Sequence, residues 1–225
     1  MEFVPKHLVA GMFLPQSTTP GSPLLTMEKL NRIWSQVSPV YDYRQLQVSA
    51  DRSAGVFIGV TEEDRVTIQP PLVQVRTPID MTARKAAEKA KHIVEIISGI
   101  LGVSQFYNLG IRFILHCVVP GGDSNAAILH RVMEKEEKEL FALRAGGDIS
   151  AGVRFFINPS EGVRYVITIE PLFAQPSFLF LDLDAAFDGP VGSSDSITER
   201  ADEVEEYLRK GVGSFLDQYL QSQVQ

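Results

Sequence analysis

From Asn108 to Val119 the chain alternates: Leu109, Ile111, Phe113, Leu115, Cys117 and Val119 fall on one side, and Asn108, Gly110, Arg112, Ile114, His116 and Val118 on the other. A period of two with one wholly apolar set predicts a strand that buries one face. Elsewhere the period changes. Ala86, Ala90, Ile93, Ile97 and Ile100 recur at helical spacing and predict a long helix over about 80–102. Read this way throughout, the chain has a strand at about 3–14, a helix at 23–37, a meander of strands at 43–77 and the closing helix. The same order returns with a strand at 104–119, a helix at 123–143, a meander at 150–187 and a helix at 195–222.

The repetition extends to residues. Ser53-Ala54-Gly55-Val56 recurs as Ser150-Ala151-Gly152-Val153, 97 positions later (150 − 53). Thr67-Ile68-Gln69-Pro70 matches Thr168-Ile169-Glu170-Pro171, and Gly11 in the first strand has its counterpart in Gly110. The two closing helices open alike, on Asp80-Met81-Thr82 and Asp195-Ser196-Ile197, where free amides want an acceptor. The expectation is an α+β fold made by internal duplication of β-α-β-β-β-α, with repeats at 1–103 and 104–225 in one pseudo-symmetric domain. The helices cover one face of a curved antiparallel sheet. That order resembles the saddle of the TATA-binding-protein fold, with ferredoxin-like halves as the alternative; fold alone assigns no function.

If the apolar set of each strand packs on helices, the other set lines the open side. It comprises Gln45, Gln47, Gln74 and Arg76 from the first half, with Arg112 and His116 from the central strand. Arg154, Phe156, Arg164, Phe178, Phe180, Asp182 and Asp184 join them from the second half. Arginines and aromatics among amides are what recognition surfaces use. Register is the sensitive step, because one bulge exchanges the two faces of a strand.

Composition changes this picture in three ways. With 44% hydrophobic and 22% charged residues, the chain can build a core. The net charge of −7 is uneven: residues 1–103 carry 11 Lys/Arg against 10 Asp/Glu, and residues 104–225 carry 10 against 18. Neither half has a basic excess, which disfavours nucleic acid as a partner. The start, MEFVPKHLVAGMFLPQ, lacks the basic and apolar regions of a secretory signal, and no segment offers a membrane span, so the expected location is cytoplasmic. The lone Cys117, in FILHCVV, reads as a buried small hydrophobe.

Candidate chemistry is sparse. Asp182 and Asp184 stand at i and i+2 on one side of a strand, with Glu170 on the strand before, an oxygen set that a divalent metal such as magnesium would accept. His116 shares a face with Arg112, but four residues at roughly 3.3 Å each separate them by about 13 Å, too far for one catalytic couple. His92 and His130 read as surface residues, and His7 belongs to no ligand or triad motif. Pro120-Gly121-Gly122-Asp123 precedes a helix without the Lys-Ser/Thr of a phosphate loop, so Asp123 reads as an N-cap. Ala145-Gly146-Gly147-Asp148 reads as a helix exit, and Glu134–Glu139 as a solvated helical face.

Three stretches resemble a sporadically distributed prokaryotic family of uncharacterised proteins: TIQPPLVQV from Thr67 to Val75, NLGIRF from Asn108 to Phe113, and FLFLDLDAAF from Phe178 to Phe187. The resemblance implies no activity or cofactor; it directs attention to Gln69, Arg76 and Arg112. The expected function is capture of a protein or small-molecule partner on the open face, by Gln69, Arg76, Arg112, His116, Arg154, Phe156, Arg164 and Phe180. A metal-assisted hydrolase at Asp182, Asp184 and Glu170 is the enzymatic alternative, and a nucleic-acid-binding saddle the third. A homodimer covering the exposed sheet belongs to the same set of expectations.

Overall fold

The computed structural model describes residues 2–15, 24–80, 82–119, 122–132 and 150–221. In chain order it contains β1 (Phe3–Phe13), α1 (Met27–Tyr41), β2 (Gln45–Val48), β3 (Gly55–Ile58), β4 (Arg65–Gln69), β5 (Leu72–Pro78) and α2 (Ala83–Leu101). There follow β6 (Leu109–Val118), α3 (Ser124–Val132), β7 (Val153–Ser160), β8 (Val163–Pro171) and β9 (Phe178–Phe187). The chain then runs through α4 (Asp195–Tyr207), a π-helical turn at Leu208–Val212, and α5 (Gly213–Gln221).

All the strands join one open antiparallel sheet of nine, in the order β2-β3-β4-β5-β1-β6-β9-β8-β7. The α+β class is therefore as expected. The centre is β1 against β6, where Gly11 lies across from Gly110 and Val9 across from Arg112. One row crosses nearly the whole sheet through paired residues: Ile58, Arg65, Arg76, Val9, Arg112, Asp184, Val166 and Phe156.

The helix layer packs on one face. Leu8, Ala10, Met12, Phe57, Val66, Ile68, Val73 and Val75 from the first half are buried, as are Leu109, Ile111, Phe113, Leu115 and Cys117 of β6. They join Leu30, Ile33, Ala90, Ile93, Ile97, Ile197, Ala201 and Val204 of the helices in a single core. Burying such side chains contributes roughly 1.5–3 kcal/mol each, which sets the strand register. Burial also pushes the Cys117 thiol up to about 12, so the residue packs as an apolar one.

Boundaries depart from the sequence reading in places. The first meander holds four strands, because β2 adds an edge of four residues that has no counterpart among the described residues of the second half. Helix α1 runs to Tyr41 through Pro39, whose place in the last turn costs few hydrogen bonds. Thr26 and Thr82 cap α1 and α2 by accepting from the Lys29 and Lys85 amides, and Asp123 accepts from the Ala126 amide at the start of α3. Helix α2 ends at Gly102, with φ 72°. Asp195 is a first-turn acid rather than a cap, and meets Lys91 of α2 at 2.5 Å. The expected single helix 195–222 is interrupted at its middle by the π-helical turn. Residues 133–149, including Glu134–Glu139 and Ala145–Asp148, lie outside the described residues, as do Pro120 and Gly121. No helix among the described residues is long and apolar enough to cross a membrane.

Candidate functional site

The face of the sheet opposite the helices carries most of the strands' polar side chains, although β1 and β3 turn Val9, Val56 and Ile58 to it. Gln45, Gln47, Gln69, Gln74, Arg112, Arg154, Phe156, Arg164, Glu170 and Asp184 are exposed on it; Arg76, His116, Phe178, Phe180 and Asp182 are half-buried. The alternation of the strands alone produces this arrangement, since each core residue turns its neighbours outward.

Two arginines dominate the centre. Arg76 on β5 and Arg112 on β6 both pair with Val9, one from each side. Each is held by a carboxylate. Arg112 donates from Nε and Nη2 to the two oxygens of Asp182, at 2.7 and 2.5 Å. Arg76 is ion-paired with Glu63, from the loop between β3 and β4, and the same carboxylate lies 3.6 Å from His7 Nε2. No pattern in the chain marks Glu63, because a loop residue has no periodicity by which to place it.

Around these pairs the electrostatics are uneven. Asp184 directly faces Arg112 across the ladder, yet Arg112 reaches diagonally to Asp182 instead. Loss of hydration raises the Asp184 carboxyl above its ordinary range; Arg112 opposes this, Asp182 adds to it, and Arg164 opposes it more remotely. His7 is lowered first by burial and then by Arg76, with Glu63 acting the other way. His116 is lowered by burial and then by Lys6. Its ring stands 6.0 Å from that of Phe178.

The second half supplies the unengaged groups. Arg154 donates from Nε to Thr168 Oγ1 at 3.2 Å and meets no carboxylate among the described residues. Arg164, among the described residues, makes no hydrogen bond or ion pair; its influence on Asp184 acts through space. Phe156, 69% exposed, stands opposite Val166 between the positions of the two arginines. Gln69 is separate from this group, at the tip of the β4–β5 hairpin opposite Leu72.

The face thus presents guanidinium and aromatic groups together, and the candidate chemical groups on it stand apart. His116 lies opposite Phe180 and does not meet Arg112. Asp182 and Asp184 do share a face, but both oxygens of Asp182 accept from Arg112, and Glu170 lies across from Phe180. Among the described residues no three His, Cys, Asp or Glu side chains gather closely enough to hold a metal ion. His92 is exposed and its Nδ1 sits 2.6 Å from the Tyr41 hydroxyl on the helix side; the backbone of His130 lies in α3, its side chain outside the described atoms. Comparison of the chain with protein-family models and with curated proteins gives no match to either.

Proposed function

We propose that the chain is a non-enzymatic binding or adaptor protein that captures a partner on the helix-free face of its sheet. The observation that carries this reading is that one face holds Arg164, a guanidinium without a hydrogen-bond or ion-pair partner among the described residues, the largely exposed Phe156 ring, and, two to three strands away, an Arg112 already oriented by Asp182. Oriented arginines and exposed aromatics are the residue types that dominate binding energy at interfaces. Arg76, His116, Arg154 and Phe180 extend the same surface.

We also read the chain as a duplication, and its likeness to the TATA-binding-protein saddle belongs to this proposal. Gly11 and Gly110, equivalent at an offset of 99, pair with each other at the centre, where a pseudo-two-fold would pass. Outward from them β5, β4 and β3 occur in the same order as β9, β8 and β7. A metal-assisted hydrolase at Asp182 and Asp184 gains no support from a carboxylate that Arg112 already engages.

The test is partner capture from the native cells with Arg112 and Arg164 both replaced by alanine. Capture is expected to be lost with circular dichroism unchanged, and retained capture would remove this face from consideration.

A further inference from the structure

The two edges of the sheet are unlike. Strand β2 is four residues long, short enough to offer little pairing surface. Strand β7 has eight residues, and among the described residues nothing pairs with its outer side. Its protective features, Pro159 and the register shift between Ile157 and Ser160, sit at one end and leave Val153–Ile157 regular. Apolar groups flank that stretch on both faces of the sheet. Phe156 is exposed on the helix-free side; on the other, Phe155 meets the 39% exposed Phe215 at 5.4 Å, beside a cavity of about 200 Å³ lined also by Ile157 and Tyr207.

We propose that β7 pairs antiparallel with β7 of a second copy, Phe155 facing its own symmetry mate, so that two nine-stranded sheets continue as one. The strand itself selects a second copy over another partner. About a two-fold at Phe155, Arg154 falls opposite Phe156 of the second copy and Phe156 opposite its Arg154, which gives two guanidinium–ring contacts on the helix-free side. On the helix side Val153 falls opposite Ile157 of the second copy, twice over. Arg154 Nε is bonded to Thr168 Oγ1 of β8, on the inner side of the strand, so pairing draws this side chain off that hydrogen bond and outward to the ring. A two-fold centred one residue later would set Arg154 against Asn158 and lose both cationic contacts. The dimer takes up Phe156 and Arg154, which the binding proposal also counts, and leaves Arg112 and Arg164 on the open face; subunit mass tests the one and partner capture by the Arg112/Arg164 variant tests the other, so the two fail separately.

The experiment is sedimentation velocity on the full chain, with disulfide trapping as its second arm. The wild type is expected to sediment at twice 24.9 kDa and Phe156→Lys, which sets lysine against Arg154, at 24.9 kDa. Arg154→Cys mixed with Phe156→Cys should yield a cross-linked pair on mild oxidation, with the buried Cys117 contributing nothing. A monomeric wild type, or a dimer mass unchanged in a folded Phe156→Lys, overturns the proposal. Should Phe156→Lys fail to fold, the trapping decides: absence of the Arg154→Cys/Phe156→Cys cross-link overturns it as well.

Discussion

Arg112 grips Asp182, two residues along β9, while Asp184 stands directly opposite it and is bonded by neither Nε nor Nη2. The two carboxylates therefore contribute differently to stability. Asp182→Asn is expected to lower stability by no more than about 1 kcal/mol, seen as a fall in Tm, because the Arg112 side chain is about half exposed. Asp184→Asn removes a charge whose hydration the fold reduces, and is expected to leave Tm unchanged or raise it. Thermal unfolding of the two variants at neutral pH checks the contrast; equal losses would contradict it.

The repeated Ser-Ala-Gly-Val has a different physical reason at each site. A Cβ on Gly55 would lie 2.5 Å from a Leu30 methyl, inside the core beneath α1. Gly55→Ala is expected to cost about 1–3 kcal/mol through overpacking. At Gly152 the nearest atom is the Glu170 Cγ, at 2.7 Å on a flexible, exposed side chain that can move aside. Gly152→Ala should cost less, as denaturant unfolding would show.

Asp64 ties the β3–β4 loop to the helix layer. Its carboxylate accepts from Lys89 Nζ at 2.7 Å on both oxygens and from the Tyr43 hydroxyl at 3.1 Å, all largely enclosed. Lys89 in turn lies over the Tyr41 and Tyr43 rings. Asp64→Ala leaves the ammonium without its anion and is expected to cost about 2 kcal/mol in urea unfolding. Because Glu63 precedes it, the same variant should loosen Arg76 on the opposite face.

His7 makes stability depend on pH. Burial and Arg76 hold its folded pKa below the ordinary 6.5, so the unfolded chain takes up a proton first as pH falls. Stability is therefore full above about 6.5, declines below it, and levels off beneath the folded value. His7→Gln should flatten that decline in Tm-against-pH curves, leaving the part due to His116, which is lowered in the same sense. An unchanged slope would exclude His7 as its source.

Much of the fold was legible because burial writes itself into periodicity. The alternation of β6 and β9 and the stripe of α2 placed these elements, with Arg112, His116, Phe180 and Asp182 on the face away from the helices. What periodicity cannot carry is the identity of neighbouring strands. The Arg112–Asp182 bond joins residues 70 positions apart and depends on β9 lying beside β6, so the two aspartates read as an unengaged oxygen pair. Glu63 escaped notice because a loop residue shows no period, and the meander that begins with β2 holds four strands where three were expected because its short strands blur the count. The π-helical turn escaped as well, since its i→i+5 bonding inserts a residue into an otherwise continuous helical pattern.

Native mass spectrometry of the chain gently purified from its own cells tests the central claim most directly, beside the Arg112→Ala/Arg164→Ala variant prepared identically. The account predicts a retained partner or ligand on the wild type that is missing from the variant. A wild-type chain carrying nothing but itself, or a partner held equally by both, would contradict binding on the helix-free face.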